Sequence, residues 1–212
     1  MEFIMYIADI DYYRPTSLQE LLDLLKKYGK KSKILAGGTD LILQMKLKSK
    51  QPACLIDVKG IDEFKKMYVE DDKLVVGCGV TLTELWRSQQ VKNEFPALWG
   101  AVNMHADRQI RNRGTLVGNL CNASPAAETA PPLLTYGAQV QIQSSSGQRV
   151  VSLNKFFVGP GQTVLAEDEL VTRVYIPKPP SNSYCSFKKL SRVYDDIAII
   201  NAAARLEFDQ SG

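Results

Sequence analysis

The sequence of 212 residues is poor in the residue patterns that bind metals. It has one histidine, His105, and the four cysteines Cys54, Cys78, Cys121 and Cys185 contain no Cys-x-x-Cys pair. Zinc sites and iron–sulfur clusters need closely spaced thiolate or imidazole ligands, so this chain is not expected to hold either one itself. Four free thiols in a reducing cytoplasm are the expectation.

Other common signatures are absent as well. The chain has no apolar run long enough to span a bilayer and no signal-peptide pattern, so a cytoplasmic location without a membrane span is expected. It lacks the G-x-G-x-x-G dinucleotide fingerprint and the G-x-x-x-x-G-K-[ST] phosphate loop. A net charge of +3 is too small to predict nucleic-acid binding. Its hydrophobic content of 45% predicts a globular protein with one large domain or two small ones.

The most informative stretch present runs from residue 111 to residue 134. Gly114 and Gly118 allow a close backbone approach, and Ser124 followed by Pro125 is typical of a helix N-cap with proline at the first helical position. Free N–H groups at such a helix start can bind phosphate. A structural connection between a strand and a helix explains the same residues, and this stretch alone leaves the two interpretations open.

A second turn of this kind lies nearer the N-terminus. A short strand at 33–36 leads into Gly37-Gly38-Thr39-Asp40, followed by an apolar helix or turn over 41–47. Successive backbone N–H groups in such a turn can point into one concavity and bind an anion. Turns of this composition are common and most bind nothing, so the turn alone is weak evidence.

The remaining elements follow from hydrophobic period and turn residues. Capping boxes at Ser17/Glu20 and Thr81/Glu84 predict helix starts, and Gly29 predicts a helix end. Strands are predicted at 55–58, 74–80, 139–143, 149–153, 170–176, 186–190 and 197–208, with a boundary at 179–182.

Three segments in this order resemble one family. They are Ala36-Gly37-Gly38-Thr39-Asp40-Leu41, then Gln109 to Asn119, and then Asp195-Asp196-Ile197-Ala198, supported by Ser124 to Glu128 and Gly159-Pro160-Gly161. They are similar to the FAD-binding (medium) subunits of the molybdenum hydroxylases, most of all to the separate FAD chain of bacterial xanthine dehydrogenases, which places the chain in purine metabolism. The resemblance covers essentially the whole chain.

The resemblance implies an α+β fold of the vanillyl-alcohol-oxidase or p-cresol-methylhydroxylase type. It implies an N-terminal FAD-binding subdomain at 1–57, a second FAD-binding subdomain at 58–177 and the start of an incomplete C-terminal domain at 178–212.

The resemblance also implies the FAD-binding residues. The first diphosphate turn would involve Leu35, Ala36, Gly37, Gly38, Thr39, Asp40 and Leu41, and the second Gly114, Thr115, Gly118 and Asn119. Ser124, Pro125 and Glu128 would lie near the adenosine half. Ile197 would press against the flavin ring, with Asp196 beside it and Lys188 or Lys189 nearby, and of the two Lys188 is the residue expected to contact the cofactor.

The implied function is an FAD-carrying electron-transfer subunit with no catalytic residue of its own. A molybdopterin subunit would oxidise the substrate, a subunit with [2Fe-2S] clusters would relay electrons, and the flavin would pass them to NAD or another acceptor. Two alternatives remain open: a stand-alone flavin oxidoreductase of the same fold, and a non-catalytic nucleotide-binding scaffold.

Overall fold

The structure is a computed structural model that describes residues 9–209. The first eight residues of the predicted N-terminal subdomain and the last three of the predicted C-terminal domain lie outside the described residues. The described chain combines a parallel and an antiparallel sheet with short helices, which is the α+β class expected from the sequence.

A small parallel sheet begins the described chain. Its strands are β1 (Asp11–Tyr13), β2 (Ser32–Leu35) and β3 (Cys54–Asp57), and they lie in the order β1-β3-β2. Helices α1 (Leu18–Tyr28) and α2 (Leu41–Lys46) connect the strands. Because β2 and β3 run parallel, the segments that follow them leave from the same edge of the sheet.

The predicted amphipathic helix is confirmed in α1. The Ser17 hydroxyl accepts a hydrogen bond from the Glu20 N–H at 3.2 Å, while the Glu20 carboxylate accepts from the Thr16 N–H at 2.9 Å. The predicted capping box is therefore only half formed, since Glu20 reaches one residue further back. The apolar face of α1 is buried at Leu21, Leu22 and Leu25.

The larger sheet is antiparallel. Within the described residues its strands are β4 (Met67–Glu70), β5 (Lys73–Gly77), β6 (Gln139–Ser144), β7 (Gly147–Ser152) and β10 (Leu170–Pro177), in the order β4-β5-β10-β6-β7. The predicted hairpin over 139–153 is confirmed by the pairing of β6 with β7. The predicted strand 74–80 ends earlier than expected, at Gly77.

Six short helices fill the connection between β5 and β6 in the described chain. The Thr81/Glu84 capping box is complete: the hydroxyl of Thr81 accepts from the Glu84 N–H, and the carboxylate of Glu84 accepts from the Thr81 N–H. The helices are α3 (Leu82–Arg87), α4 (Gln89–Glu94), α5 (Pro96–Asn103), α6 (Arg108–Arg111), α7 (Leu116–Asn122) and α8 (Ala130–Thr135).

Two hairpins complete the described fold. The short one pairs β8 (Phe157–Gly159) with β9 (Gln162–Thr163), and the long one pairs β11 (Ser183–Leu190) with β12 (Ile200–Glu207). The strand expected from residue 197 begins at Ile200, and residues 191–199 form the loop of the long hairpin.

One continuous hydrophobic core joins these parts. It extends from the leucines of α1 through both sheets to Cys185 and Phe187 of β11. The long hairpin therefore packs on the body of the protein with its inward side chains. In residues 9–209 no helix has the length and hydropathy needed to cross a membrane.

Candidate functional site

A cleft of about 860 Å³ lies where the first glycine turn meets the helices that follow β5. Its size falls within the range of small-molecule and cofactor sites. One wall comes from the turn after β2, the opposite wall from the segment 105–128, and further parts from 158–171 and 195–197.

The two glycine turns touch each other. A Cβ built on Gly37 would overlap the carbonyl group of Arg113 and lie 2.8 Å from the Cα of Gly114. The absence of a side chain at Gly37 is thus required by the approach of the second turn. The next residue, Gly38, has a positive φ of 76°, a backbone conformation that residues with a Cβ rarely adopt.

The first turn leaves several backbone donors without partners. Within the described residues, the backbone N–H groups of Gly37, Gly38, Thr39 and Asp40 donate to no acceptor. All four residues line the cleft. The Asp40 carboxylate does not cap α2. Since buried or half-buried backbone N–H groups are nearly always paired, a run of free donors beside a cleft indicates an anion-binding surface.

A lysine fixes the orientation of this turn. The Lys59 ammonium donates to the Ala36 carbonyl at 2.7 Å and pairs with the Asp57 carboxylate at 2.7 Å. Asp57 is buried at the end of β3 and also accepts from the Tyr12 hydroxyl. Because C=O and the following N–H point in opposite directions in a trans peptide, holding the Ala36 carbonyl also sets the direction of the Gly37 N–H.

The second turn opens α7. The Thr115 hydroxyl is the N-cap and accepts from the Gly118 N–H at 2.9 Å. A Cβ on Gly118 would lie 2.9 Å from this hydroxyl oxygen, so a larger residue there would displace the cap. The helix start that faces the cleft is therefore at Thr115.

The helix start predicted at Ser124 and Pro125 is wrong. Ser124 begins a turn in which the Ala127 N–H donates to the Ser124 carbonyl at 3.1 Å and the Ala126 N–H donates to the Ser124 hydroxyl at 3.2 Å. Proline at the second position of a turn and proline at the first position of a helix follow the same sequence pattern. The next helix, α8, begins at Ala130.

Asparagines on α7 connect the walls of the cleft. The Asn119 side-chain oxygen accepts from the buried Thr129 hydroxyl at 2.6 Å, which ties the start of α8 to α7. The Asn122 side-chain oxygen accepts from the Gln44 amide on α2 at 3.4 Å. These bonds keep the segments around the two glycine turns together.

A buried charge cluster lies beside the cleft. The Glu128 carboxylate contacts His105 Nδ1 at 2.7 Å and the Lys189 ammonium at 3.1 Å, and Lys189 also donates to the Met104 carbonyl at 2.9 Å. The Glu128 side chain is 7% exposed and that of Lys189 is 0% exposed. Burial works to raise the pKa of Glu128, but the hydrogen bond and charge of His105, together with Lys189, hold this pKa below its usual value.

The two neighbouring lysines of β11 point in opposite directions. Neither lines the cleft: Lys188 lies on the exposed side of the strand, whereas Lys189 points inward and pairs with Glu128. Side chains alternate across a strand, so only one of two consecutive lysines can face the body of the protein.

The loop of the long hairpin forms one end of the cleft. Asp195, Asp196 and Ile197 line it. The Ile197 side chain is apolar and 70% exposed, which leaves a hydrophobic surface for a ligand at this end. Asp196 pairs with Arg192 at 2.7 Å within the same loop.

The wall at 158–171 is held by two ion pairs. Arg149 on β7 makes two hydrogen bonds to Glu169, at 2.8 and 2.7 Å, and a third to the Val164 carbonyl. Glu167, on the same wall, pairs with Lys30 from the N-terminal part at 2.8 Å. Lys30 and Glu167 both line the cleft, so this exposed ion pair joins its two sides.

The cleft gathers most of the residues expected from the sequence. Leu35, Pro125 and Lys188 do not line it. Those that do are Ala36, Gly37, Gly38, Thr39, Asp40, Leu41, Gly114, Thr115, Gly118, Asn119, Ser124, Glu128 and Ile197.

Sequence reasoning missed His105 and Lys59 as site-forming residues and named Lys189 only as the alternative to Lys188. Each acts across a long sequence separation: His105 on residue 128, Lys59 on residue 36, and Lys189 on residues 104 and 128. No local pattern in the sequence marks such contacts.

Two cysteines, Cys78 and Cys121, also line the cleft. Burial raises the pKa of both thiols, to about 12 for Cys121, so they are protonated and unreactive at neutral pH.

Comparison with known protein families shows which family the chain belongs to. Residues 8–179 match the family described as the FAD binding domain in molybdopterin dehydrogenase. The chain belongs to this family. The family recognised from the sequence motifs is therefore confirmed.

Members of the molybdopterin dehydrogenase FAD-domain family resemble the chain over most of its length. The caffeine dehydrogenase subunit beta of Pseudomonas sp. (strain CBB1) is 35% identical over 91% of this chain and 66% of that protein. The xanthine dehydrogenase FAD-binding subunit of Escherichia coli O157:H7 is 33% identical over 93% and 68%. A chain of the reconstituted CO dehydrogenase from Oligotropha carboxidovorans superposes with a TM-score of 0.93 at 30% identity, over 97% and 72%. The chain spans about two thirds of the length of these relatives.

Proposed function

We propose that the cleft binds FAD and that the two glycine turns hold its diphosphate between them. The observation that carries this proposal is the row of unpaired N–H groups at Gly37, Gly38, Thr39 and Asp40, set against the second turn at Gly114 and Thr115. A diphosphate needs several donors from more than one side, and backbone N–H groups in a turn supply them without a cationic side chain. The donor set therefore fits the cofactor that the family name implies.

The other residues expected from the sequence would complete the site around this diphosphate. Gly114 and Thr115 form the second turn, and Gly118 and Asn119 follow it in α7. Leu35, Ala36 and Leu41 would frame the first turn. Ser124, Pro125 and Glu128 would lie towards the adenosine half, with Pro125 shaping the turn from outside the cleft. The exposed side chain of Ile197 would be covered by the flavin ring, and Lys189 would support the site through its ion pair with Glu128.

The chain would divide into the FAD-binding subdomains 1–57 and 58–177 and a C-terminal part at 178–212. The sheets support this division, because the described strands up to Asp57 form the parallel sheet and those from Met67 to Pro177 form the antiparallel one.

Bound FAD can accept electrons singly and pass them on in pairs, and the chain would bind the cofactor, orient it and exclude water. We therefore assign the chain the role of an electron-transfer subunit. The xanthine dehydrogenase FAD-binding subunit and the CO dehydrogenase chain that resemble this protein support this role. A molybdopterin subunit and a [2Fe-2S] subunit would be its partners, NAD or another carrier its acceptor, and the cytoplasm its location. Xanthine or a related purine would be the substrate of the whole complex.

Isolation of the complex tests the role. The chain should co-purify with the two partner subunits, and anaerobic NADH should reduce its flavin if NAD is the acceptor. A yellow monomer that turns over a substrate alone would favour a stand-alone oxidoreductase. A colourless chain that releases no FAD on denaturation would contradict the redox role and favour the scaffold alternative.

A further inference from the structure

The loop that carries His105 is held by side chains from other parts of the fold. The Asn103 carbonyl accepts from the Tyr194 hydroxyl at 2.9 Å, and the Met104 carbonyl accepts from the Lys189 ammonium at 2.9 Å. The His105 and Ala106 carbonyls both accept from the Arg111 guanidinium, at 2.8 and 2.6 Å. Four consecutive carbonyls are thus fixed by donors from outside the loop. A loop held in this way presents its side chain in one position.

Within residues 9–209, only one nitrogen of the His105 ring has a hydrogen-bond partner. Nδ1 contacts the Glu128 carboxylate at 2.7 Å. Nε2 has no hydrogen-bond partner among the described residues, and in this part of the chain no buried side-chain nitrogen or oxygen atom lacks a partner. Nε2 is therefore accessible to a ligand, and His105 lines the cleft with 14% of its side chain exposed.

The partner of Nδ1 decides what Nε2 can do. A carboxylate accepts hydrogen bonds, so the neutral ring carries its proton on Nδ1 and donates it to Glu128. Nε2 is then a hydrogen-bond acceptor. FAD carries hydroxyl groups that can donate to such an acceptor, on the ribityl chain of the flavin half and on the ribose of the adenosine half.

We propose that His105 is a cofactor-contacting residue, in which Nε2 accepts a hydrogen bond from a sugar-type hydroxyl of FAD while Glu128 and Arg111 hold the ring and its loop in place. This inference rests on the proposed FAD site and adds a residue and a bonding mode to it. Glu128 then acts through His105 and Lys189, both of which it already contacts.

Two substitutions separate contact with the cofactor from support of the fold. In His105→Asn the side-chain amide reaches the position of Nδ1 and can still donate to Glu128, but nothing replaces Nε2. In His105→Gln the longer amide reaches the position of Nε2 and the bond to Glu128 is lost. FAD affinity should depend on whether an acceptor remains at the position of Nε2. Stability should depend on whether a donor to Glu128 remains at the position of Nδ1.

The measurement is a fluorescence titration of the full chain with FAD, accompanied by thermal unfolding of the apoprotein. His105→Asn should weaken FAD binding about five- to tenfold, the effect of one hydrogen bond, with a nearly unchanged unfolding temperature. His105→Gln should lower the unfolding temperature and keep most of the affinity. Wild-type affinity in His105→Asn, or affinity that follows stability in both variants, would overturn the inference.

Two fragments identify the hydroxyl. If the ribityl chain is the donor, His105→Asn should weaken riboflavin binding and leave ADP binding unchanged; if the ribose is the donor, the pattern should reverse. Weakening of neither fragment would contradict a hydroxyl contact. A wild-type chain that binds no FAD would instead overturn the proposed function, and this inference with it.

Discussion

Gly37 is the residue at which the two glycine turns come closest. The carbonyl carbon of Arg113 would lie 2.6 Å from a Cβ at this position. The obstacle is backbone, which cannot rotate away as a flexible side chain could.

We expect Gly37→Ala to destabilise the protein by about 2 kcal/mol or more, because the added methyl group must push the turns apart. Urea unfolding measures this effect. Gly100→Ala is the matched control: Gly100 lies in α5, and a Cβ there meets nothing within 4 Å. This control should be neutral or stabilising by up to about 1 kcal/mol. Equal stability of Gly37→Ala and wild type would show that the turns do not pack as described.

Glu128 gives the site a pH-dependent contribution to stability. Its pKa in the folded protein lies below the ordinary value of 4.5, so folding favours the ionised form. The stabilisation is fully present above pH 4.5 and is lost as the pH falls through the lowered folded pKa.

Glu128→Gln should therefore reduce the free energy of unfolding at neutral pH, since Lys189 loses its buried carboxylate partner. The difference from wild type should shrink as the pH falls below 4.5 and then through the lowered folded pKa, below which the wild-type carboxylate is protonated too. Urea unfolding at a series of pH values checks this. A difference that stays constant down to low pH would contradict the account of Glu128.

At the scale of elements, the first turn depends on the end of β3. Lys59 connects Asp57 to the Ala36 carbonyl and so sets the direction of the Gly37 N–H. It is a positioning residue that does not need to touch the cofactor.

We expect Lys59→Met to weaken FAD binding about tenfold because the N–H groups that face the diphosphate lose their fixed direction. Lys65→Met is the control, since Lys65 makes only an exposed ion pair with Asp62. Affinity for riboflavin, which has no diphosphate, should change little in either variant. Identical FAD affinity in Lys59→Met and Lys65→Met would rule out the positioning role.

Local patterns predicted some elements and misassigned others for a physical reason. The Thr81/Glu84 box is satisfied by residues three positions apart, and it forms as expected. The sequence Ser124-Pro125 is compatible with a turn as well as with a helix start, and in this protein it forms the turn. Thr115, the actual N-cap beside the cleft, has no acidic partner three residues later and therefore gave no capping-box signal.

At the scale of the whole molecule, non-local contacts assemble the site. The motifs predicted which segments would line one cleft, because each segment is itself contiguous. The approach of Gly37 to Arg113, the Gln44–Asn122 bond and the Lys189–Glu128 pair join residues far apart in sequence. Their formation depends on tertiary packing, which the sequence pattern alone does not specify.

Lys189 connects the long hairpin to the rest of the molecule. We expect Lys189→Met to destabilise the protein by about 3 kcal/mol, because one charge of a buried pair is left without its partner. Lys188→Met changes the neighbouring exposed lysine and should stay within about 0.5 kcal/mol of wild type. Chemical denaturation of the two variants checks this contrast. Equal effects would mean that the inward placement of Lys189 is wrong.

The central claim is that the two glycine turns hold the diphosphate of FAD. Equilibrium titration of the isolated chain with FAD and with riboflavin tests it most directly. We expect one FAD per chain, bound at least about a hundredfold more tightly than riboflavin, because several charge-assisted hydrogen bonds to the diphosphate are missing from riboflavin. Equal affinity for the two compounds, or no binding of FAD, would contradict the claim.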